Sequence, residues 1–363
     1  MIIAVLGSGN GGCAVAADCA LHGHEVRLFD FERFGETVAA IRSAGDAIEA
    51  TGDVEGRAQL AYAGHDLGVA LEGAALVYVV GPSYATAPFA DACRGRLQSG
   101  QHVVVCPGTN GGAIVFKRVL GLDLADPSVV VSETSTLPYA CRLMGENRVH
   151  VYLKLQAGLF MASLPSGAVD ERAADVAAVY AGVTPYDNVF QTLLQNGNNV
   201  IHPAVSLLNV GRIESPEDFL FYEEGVTPGV GRLMEAVDAE RLAIAEALDA
   251  PILSEPGVGV LQGYMTEENY DTAYSRAPGF KGIVAQTTLE YRYLTEDVGY
   301  GLILLTDLAR VTGVATPAMG AIITLVSIVL GRDLRAGAER TLETLGLGGL
   351  GPEGLRAAVE SGH

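Results

Sequence analysis

Apolar residues in the first half of the chain form short runs, separated by glycine-rich turns or by stretches with helical spacing. Short continuous apolar runs are typical of buried strands. The runs that we predict to be strands lie at 2–6, 75–80, 102–106, 129–132, 149–155 and 158–164. Strands that alternate with helices indicate an α/β protein with a doubly wound sheet, which the last two runs are expected to complete.

After residue 187 the strand pattern disappears and apolar residues recur at helical spacing. The predicted helices lie at 189–209, 233–250, 287–309, 317–330 and 335–345. A chain of 363 residues is also long for a single core. We therefore predict two domains, an α/β domain at 1–185 and an all-helical domain at 186–363.

The first thirty residues place a strand, a glycine-rich turn, a helix and a second strand in that order. Gly7 permits a tight turn, Gly9 lets the backbone approach a pyrophosphate, and Gly12 lets the helix pack on the strand. Free N–H groups at the helix start would face the phosphates. The pattern predicts a dinucleotide site, whose residues we expect to include Gly7, Gly9, Asn10, Gly11, Gly12, Asp30, Arg33, Gly81, Pro82 and Pro107.

Two of these residues bear on the choice of cofactor. Asp30 ends the second strand, where an acid would meet the ribose hydroxyls, and a carboxylate repels a 2′-phosphate, so NAD is expected. Arg33 would accommodate that phosphate, which leaves NADP open. Gly81, Pro82 and Pro107 follow predicted strands, and ligands of doubly wound sheets bind beyond the carboxyl ends of strands.

The charge balance restricts the possible partners. The chain has 23 basic and 43 acidic residues, a net charge of −20, which argues against nucleic acid and anionic membranes. Five cysteines, an odd number without C-x-x-C spacing, predict neither a disulfide framework nor a metal site. A cytoplasmic protein is expected. The apolar start is predicted to be a strand and not a signal peptide, and the run at 320–330 is too short to cross a bilayer.

A polar stripe crosses the otherwise apolar helix predicted at 189–209. Its members, spaced four, three, four and three residues apart, are Gln195, Asn199, His202, Ser206 and Asn209. Such a stripe is expected to face a wet cleft inside the protein. His202 would suit proton transfer there, because an imidazole changes its charge near neutral pH. A buried histidine that serves packing is the alternative, and the pattern alone leaves both open.

A second cluster lies at 291–297. Arg292 could hold a carboxylate, and Asp297 could orient an imidazole. The alternatives are a helical ion pair between Arg292 and Glu296 and a solvated acid. Positions five apart on a straight helix differ by roughly 140°, so periodicity does not place Arg292 and Asp297 on one face.

These segments resemble the octopine/nopaline (opine) dehydrogenase family, especially its bacterial members that form N-(1-carboxyethyl)amino acids of the norvaline type. The matching segments are GSGNGG at 7–12, PGTNGG at 107–112, ETSTLPYACR at 133–142, IHPAVSLLNVGRIE at 201–214, FYEEGVTPGVG at 221–231 and YRYLTEDVGYGL at 291–302. The resemblance implies a Rossmann-type domain followed by a helical domain. It also implies reductive condensation of an L-amino acid with an α-keto acid, commonly pyruvate, through an imine.

The resemblance also assigns roles to residues. His202 and Asp297 match the catalytic dyad, and Arg292 matches the arginine that holds a substrate carboxylate. Thr136, Cys141 and, more loosely, Thr109 match positions that line the substrate site. Octopine-forming members carry an acid directly before the threonine matched to Thr136, and a glutamine near Thr109, and this chain has neither. A small or aliphatic amino acid is therefore expected as the substrate.

Two other functions stay open from the sequence. One is a keto- or hydroxy-acid dehydrogenase of the related two-domain class, although such enzymes usually rely on a catalytic lysine, and the chain has only Lys117, Lys154 and Lys281. The other is a non-catalytic NAD-binding sensor, against which the intact His202, Arg292 and Asp297 count. A homodimer is the default expectation for the assembly.

Overall fold

The computed structural model describes residues 1–145 and 147–360, which form two compact units. Unit 1 comprises Met1–Thr192 and the end of the chain from Val359, and unit 2 comprises Leu193–Ala358. The boundary at 192/193 lies beyond the expected division at 185/186, and the chain also returns to unit 1 at its end. Ser166 Oγ donates to the Glu360 carbonyl, and Asn188 Nδ2 donates to the Glu360 carboxylate at 2.9 Å. Residues 361–363 of the expected second domain lie outside the described residues.

The strands of the described chain all lie in unit 1. They are β1 (Ile2–Leu6), β2 (Glu25–Phe29), β3 (Ala47–Gly52), β4 (Gly56–Gln59), β5 (Tyr62–Gly64), β6 (Leu76–Val79), β7 (His102–Val105), β8 (Val130–Thr134), β9 (Tyr139–Leu143), β10 (Arg148–Lys154), β11 (Leu159–Leu164) and β12 (Val183–Pro185).

The helices continue into unit 2. They are α1 (Asn10–Leu21), α2 (Gly35–Ser43), α3 (Leu67–Leu71), α4 (Thr86–Cys93), α5 (Gly112–Leu120), α6 (Val169–Ala177), α7 (Val189–Leu194), α8 (Asn198–Leu208), α9 (Val210–Ile213), α10 (Pro228–Ala247), α11 (Glu255–Leu261), α12 (Thr272–Ser275), α13 (Arg292–Thr295), α14 (Ile303–Thr312), α15 (Pro317–Val329) and α16 (Pro352–Glu360).

The main sheet has eight strands in the order β12-β11-β8-β7-β6-β1-β2-β5. Its pairs are parallel except that β11 runs antiparallel to β8. Strands β6, β7 and β8 are buried along their whole length. β6 is correspondingly an apolar run, whereas β7 begins with His102 and β8 ends in Ser132, Glu133 and Thr134. The carboxyl ends of β1, β6, β7 and β8 therefore lie at one edge, and the loops predicted to bind ligands follow them.

The expectation that the run at 149–155 completes this sheet is wrong. It forms β10, which belongs to a separate sheet in the order β4-β3-β10-β9. Polar residues alternate along β10, and only one of its faces is buried, so it does not fit a strand covered on both sides. β11 does lie in the main sheet.

Unit 2 is helical, but three of its predicted helices differ from the structure. The helix predicted at 189–209 is interrupted at 195–197, where a Cβ on Gly197 would lie 2.7 Å from Glu255 Cγ. The stretch predicted at 287–309 contains α13, a π-helical turn at Asp297–Leu302, and α14. Residues 335–345 form turns, in which Asp307 accepts the Leu342 N–H at 2.7 Å. Within residues 1–145 and 147–360, no helix is long and apolar enough to cross a membrane.

Candidate active site

The glycine-rich turn after β1 is shaped by contacts that exclude side chains. Gly7 has a φ of +118°, and a Cβ there would lie 2.1 Å from the Val80 carbonyl oxygen. A Cβ on Gly12 would lie 1.8 Å from the Gly7 oxygen. At Gly9, by contrast, no atom lies within 4 Å of the Cβ position, and no side chain caps the start of α1. An open backbone at an uncapped helix start fits the pyrophosphate of a dinucleotide.

Asp30 supports this turn from the end of β2. Its Oδ2 accepts hydrogen bonds from the Ser8 amide and the Ser8 hydroxyl, both at 2.7 Å, and its Oδ1 accepts from the Phe31 amide at 2.7 Å. Ser8 occupies a variable position of the glycine motif, so the sequence pattern did not single it out. Arg33 is exposed, with its guanidinium over the rings of Phe31 and Phe34 at 5.3 and 5.0 Å.

Asn10, Gly11 and Cys141 hold the start of α1 against the second sheet and β6. The Asn10 side-chain oxygen accepts the Leu143 amide at 2.8 Å, and the Asn10 carbonyl accepts the Cys141 thiol at 3.4 Å. A Cβ on Gly11 would lie 3.0 Å from Leu137 and Val80 side-chain carbons. Burial raises the pKa of the Cys141 thiol to about 12. Cys141, which we expected to line the substrate site, therefore contacts the cofactor turn as a neutral thiol.

The loops after β6 and β7 meet at Ser83. Its Oγ lies 3.3 Å from Thr109 Oγ1 and accepts Asn110 Nδ2 at 3.0 Å. Gly81 and Pro82 directly precede Ser83, and Pro107 begins the second loop after a cis peptide bond. The structure thus brings the two predicted loops together at the carboxyl edge of the sheet.

Thr136 lies beyond the end of β8. It is half-buried, and its carbonyl accepts the Thr134 hydroxyl at 2.9 Å. The preceding Ser135 is buried, and its Oγ accepts the Phe160 amide at 3.3 Å. This segment therefore presents no carboxylate at position 135.

In unit 2, His202 on α8 pairs with Asp297. The Nδ1 atom of His202 lies 2.8 Å from Asp297 Oδ2, and the two residues are 6% and 1% exposed. The π-helical turn that begins at Asp297 packs against α8, where a Cβ on Gly301 would lie 2.1 Å from Asn199 Oδ1. Asp297 begins this turn and lies within hydrogen-bonding distance of His202.

Aromatic residues that the sequence analysis did not single out complete the surroundings of His202. The Tyr293 ring stacks on the imidazole with centroids 3.8 Å apart, and the Tyr222 hydroxyl lies 3.3 Å from Nε2. Because a carboxylate only accepts hydrogen bonds, Nδ1 of the neutral ring carries the proton and Nε2 is the acceptor. The FYEEGV and YRYLTED segments contain these tyrosines, but spacing alone gave no reason to choose them.

The other polar residues of the predicted stripe make different contacts. Gln195 exchanges two hydrogen bonds with the Leu253 backbone, and Asn209 donates to the Val205 and Gly225 carbonyls. Ser206 is buried and accepts Gln286 Nε2 at 3.0 Å. The stripe is therefore mostly structural around its central histidine.

Arg292 begins α13 and makes the ion pair that we weighed as an alternative. Its Nε donates to Glu296 Oε2 at 2.9 Å, and its side chain is 39% exposed. Burial disfavours the charged guanidinium, but the carboxylates of Glu296 and Asp297 outweigh it and raise the pKa of Arg292. The terminal nitrogens make no hydrogen bond to any residue in the described ranges.

The three lysines make other contacts or lie exposed. Lys154 Nζ lies 2.7 Å from Asp18 inside unit 1, the buried Lys117 bonds the Asp126 carbonyl, and Lys281 is exposed. Across the described part of the chain, no group of three or more His, Cys, Asp or Glu side chains is placed to hold a metal ion.

Comparison with known proteins identifies both parts of the chain. Residues 185–330 match the alpha-helical domain of NAD/NADP octopine/nopaline dehydrogenase, and residues 2–111 match the N-terminus of NAD-dependent glycerol-3-phosphate dehydrogenase. An opine dehydrogenase from Arthrobacter sp. (strain 1C) is 36% identical over 98% of both chains. Protein ocs from Agrobacterium tumefaciens (strain Ach5) is 27% identical over 96% of both chains.

A solved octopine dehydrogenase in complex with NADH and agmatine matches the structure with a TM-score of 0.80 at 20% identity. The match covers 99% of this chain and 98% of that one, and it shows a shared fold. The expected fold class, a Rossmann-type domain followed by a helical domain, is confirmed. The chain belongs to the octopine/nopaline (opine) dehydrogenase family of NAD(P)-dependent oxidoreductases that act on CH–NH bonds.

Proposed function

We propose that this chain condenses the amino group of a small or aliphatic L-amino acid with pyruvate, and reduces the resulting imine with NADH. The observation that carries the proposal is the buried His202–Asp297 pair, with Nδ1 at 2.8 Å from the carboxylate and Nε2 left as an acceptor. A related octopine dehydrogenase has been solved with NADH and pyruvate, which supports pyruvate as the keto acid.

His202 is the acid–base group in this proposal. Its Nε2 takes a proton from the substrate ammonium, so that the free amine can attack the keto carbon. The imidazolium then returns the proton to the hydroxyl group that leaves as water, which yields the iminium. Asp297 stabilises the imidazolium and holds the ring orientation. When bound, the reduced nicotinamide supplies the hydride that reduces the iminium carbon.

Arg292 is proposed to bind a substrate carboxylate. Glu296 occupies only its Nε, so the two terminal nitrogens can bind both oxygens of a carboxylate. Thr136, Thr109 and Cys141 remain proposed substrate contacts. The presence of Ser135 at this position favours a substrate with an uncharged side chain, because a buried hydroxyl cannot neutralise the charge of a guanidinium as a carboxylate would.

The glycine-rich turn, Asp30 and the loops that contain Gly81, Pro82 and Pro107 are proposed to hold the cofactor. Asp30 already accepts three hydrogen bonds, and a carboxylate has about four lone-pair sites. One site is thus available for a ribose hydroxyl, whereas a 2′-phosphate would be repelled. We therefore propose NADH as the preferred cofactor, with Arg33 as the residue that permits some use of NADPH.

We further propose a cytoplasmic homodimer that pairs through α15. No charged residue occurs at 317–331, in a chain with net charge −20. The outward face of α15 is apolar at helical spacing and includes Leu325 and Ile328, 49% and 70% exposed. Two copies that pair through an uncharged helix avoid repulsion between like charges. A sedimentation profile unchanged by Ile328→Glu would contradict this pairing.

The five cysteines are free and buried, which supports the cytoplasm, a reducing compartment, as the location of the protein.

The test of the function is NADH oxidation, followed by absorbance, with pyruvate and each standard L-amino acid. Oxidation that requires both substrates is expected, with the fastest rates for small or aliphatic amino acids and slower rates with NADPH. Oxidation with the keto acid alone would support a keto-acid reductase instead. NADH binding without turnover for any pair would support the sensor, and His202→Ala separates turnover from binding.

A further inference from the structure

Glu133 is a buried acid at the carboxyl end of β8 that the proposed reaction does not use. It is 0% exposed, and its neighbours across the sheet are Val105 on β7 and Ala162 on β11. Ligands of doubly wound sheets bind at this edge. A carboxyl group buried there needs a structural or chemical reason, because burial of a charge without a cationic partner is costly.

The side chain of Glu133 supports the loop at 107–111. A Cβ on Gly108 would lie 2.1 Å from Glu133 Cβ, so the loop backbone rests directly on this residue. Glu133 Oε2 accepts the Ala113 amide at 2.7 Å, in the first turn of α5. The loop that contains Pro107 and Thr109 is therefore held at its base and at its end by one side chain.

The other carboxyl oxygen contacts α7. Thr192 Oγ1 lies 2.6 Å from Glu133 Oε1 and 3.0 Å from the Val189 carbonyl oxygen. The threonine hydroxyl has one hydrogen, so it cannot donate to both oxygens at once. A proton on Glu133 Oε1 resolves the conflict: the acid donates to Thr192, and Thr192 donates to Val189. The neutral acid therefore lets Thr192 hydrogen-bond to Glu133 and to Val189 at the same time.

We propose that Glu133, held as the neutral acid, is a positioning residue that joins the loop at 107–111 to α7 and so places Thr109 and Pro107 for substrate and cofactor. This inference rests on the proposed function for the roles of Thr109 and Pro107. The contacts of Glu133 itself stand without it.

The surroundings of Glu133 agree with a neutral acid. Burial raises the pKa of Glu133 to about 8, against the lowering effect of the Thr192 and Ala113 hydrogen bonds. The loop at 107–111, the first turn of α5, α7 and the facing part of β11 contain no ionisable side chain. The titratable group at the end of β7 is the Cys106 thiol, and burial raises its pKa to about 12. Ionisation of Glu133 above neutral pH would break the chain of hydrogen bonds to Val189.

The test uses Glu133→Gln, whose amide nitrogen can donate to Thr192 while its oxygen accepts from Ala113. The kcat/KM of the full-length enzyme and the dissociation constant for NADH, from fluorescence, are measured from mildly acidic to alkaline pH. We expect both to worsen in the unmodified protein as the pH rises through about 8. We expect Glu133→Gln to keep its neutral-pH values at alkaline pH.

Glu255→Gln is the matched control. Glu255 is another buried glutamate whose pKa burial raises to about 8, and it lies in unit 2, whereas the loop at 107–111 belongs to unit 1. This variant should keep the alkaline decline in NADH affinity. An equal effect of both variants would indicate general alkaline unfolding and overturn the proposal.

Two further measurements keep the inference testable if one variant fails to fold or no substrate pair is turned over. Infrared difference spectra of the unmodified protein and Glu133→Gln should show the carbonyl stretch of a protonated carboxylic acid, and its absence overturns the proposal. Thr192→Val should weaken NADH binding or raise KM by about tenfold, because the acid proton loses its acceptor. If no substrate pair is turned over but NADH binding shows the expected pH dependence, the proposed function is rejected. Glu133 then remains a residue that positions the cofactor loop.

Discussion

Each ring nitrogen of His202 lies next to a different polar side chain. Asp297 accepts from Nδ1, and the Tyr222 hydroxyl lies at Nε2, so the ring orientation and the position of its proton are set before any substrate binds. Tyr293 stacks on the imidazole and limits its rotation. This arrangement suits a group that must accept and return a proton at a single atom.

Replacing this pair should abolish turnover and spare cofactor binding. His202→Ala is expected to lower kcat by about 10²–10⁴-fold, the usual contribution of a general acid–base group. Asp297→Asn should lower kcat as well, because an amide can stabilise the wrong ring tautomer. Steady-state kinetics and NADH fluorescence titrations check this, and a His202→Ala enzyme with unaltered kcat would rule out the assigned role.

A separate prediction concerns the binding of a substrate carboxylate by Arg292. Arg292→Lys should raise KM for the substrate whose carboxylate Arg292 binds by about 10–100-fold with a smaller change in kcat, because lysine cannot bind a carboxylate with two parallel N–H groups. Arg310→Lys is the control, since Arg310 pairs with Asp307 on the exposed side of α14. Equal KM values in the two variants would contradict the carboxylate-binding role of Arg292.

At the level of elements, the turn from β1 into α1 contains glycines with different tasks. Gly12 has no room for a side chain beside the Gly7 oxygen, whereas the Cβ position of Gly9 is open. One glycine therefore serves the packing of α1 on β1, and the other leaves space beside the helix start. Their substitutions should separate folding from binding.

Gly12→Ala should lower both the melting temperature and NADH affinity, because the added methyl displaces α1 from β1. Gly9→Ala should leave the melting temperature nearly unchanged and weaken NADH binding, because its methyl lies where the pyrophosphate would approach. Thermal unfolding and fluorescence titration distinguish the two. A Gly9→Ala protein with unaltered NADH affinity would place the phosphates elsewhere.

Arg241 connects several elements of unit 2 from inside α10. It pairs with Asp238 and donates to the Leu194 and Leu253 carbonyls, which fixes the end of α7 near the break before α8. Arg241→Leu should destabilise unit 2 by about 3–5 kcal/mol, since it leaves the buried Asp238 without its cation. Urea unfolding measures the loss. Arg310→Leu, at an exposed pair, should change stability by less than about 1 kcal/mol.

At the scale of the whole molecule, buried titratable groups in both units set the pH dependence of stability. Burial raises the pKa of Glu133 and of Glu255 from 4.5 to about 8, so the folded protein holds protons that the unfolded chain releases above pH 4.5. Their contribution is complete below pH 4.5 and is lost as the pH rises through about 8. Burial also lowers the pKa of His102 below 6.5, so its contribution is lost as the pH falls below 6.5.

Glu133 and Glu255 should therefore make the free energy of unfolding decline as the pH rises from 4.5 to about 8, which is the alkaline decline. His102 should lower the free energy of unfolding as the pH falls below 6.5, which is the acidic decline. The double variant Glu133→Gln/Glu255→Gln should flatten the alkaline decline and leave the acidic one. The two effects should add, because the glutamates share no hydrogen-bond partner. Urea unfolding at a series of pH values tests this, and an unchanged alkaline slope in the double variant would contradict the assignment.

The sequence by itself determined the elements that depend on local pattern. The apolar runs that form β1, β6, β7 and the start of β8, and the glycine turn, could be predicted directly, because strands buried on both faces and backbone at a helix start impose strict residue types. The break from strands to helices and the position of His202 on a helix followed from periodicity. The roles of Thr109 and Thr136 came from the family resemblance, whereas Arg292 was first a candidate from its own cluster at 291–297.

Only the tertiary structure decided what depends on contacts between distant residues. Asp297, at the start of the π-helical turn, pairs with His202, which lies 95 positions earlier in the chain. The pairing of β10 with β3 in a second sheet, and the hydrogen bond between Thr192 and Glu133, also join residues far apart in sequence. Periodicity describes which face of an element is buried, and it contains no information about which partner buries it.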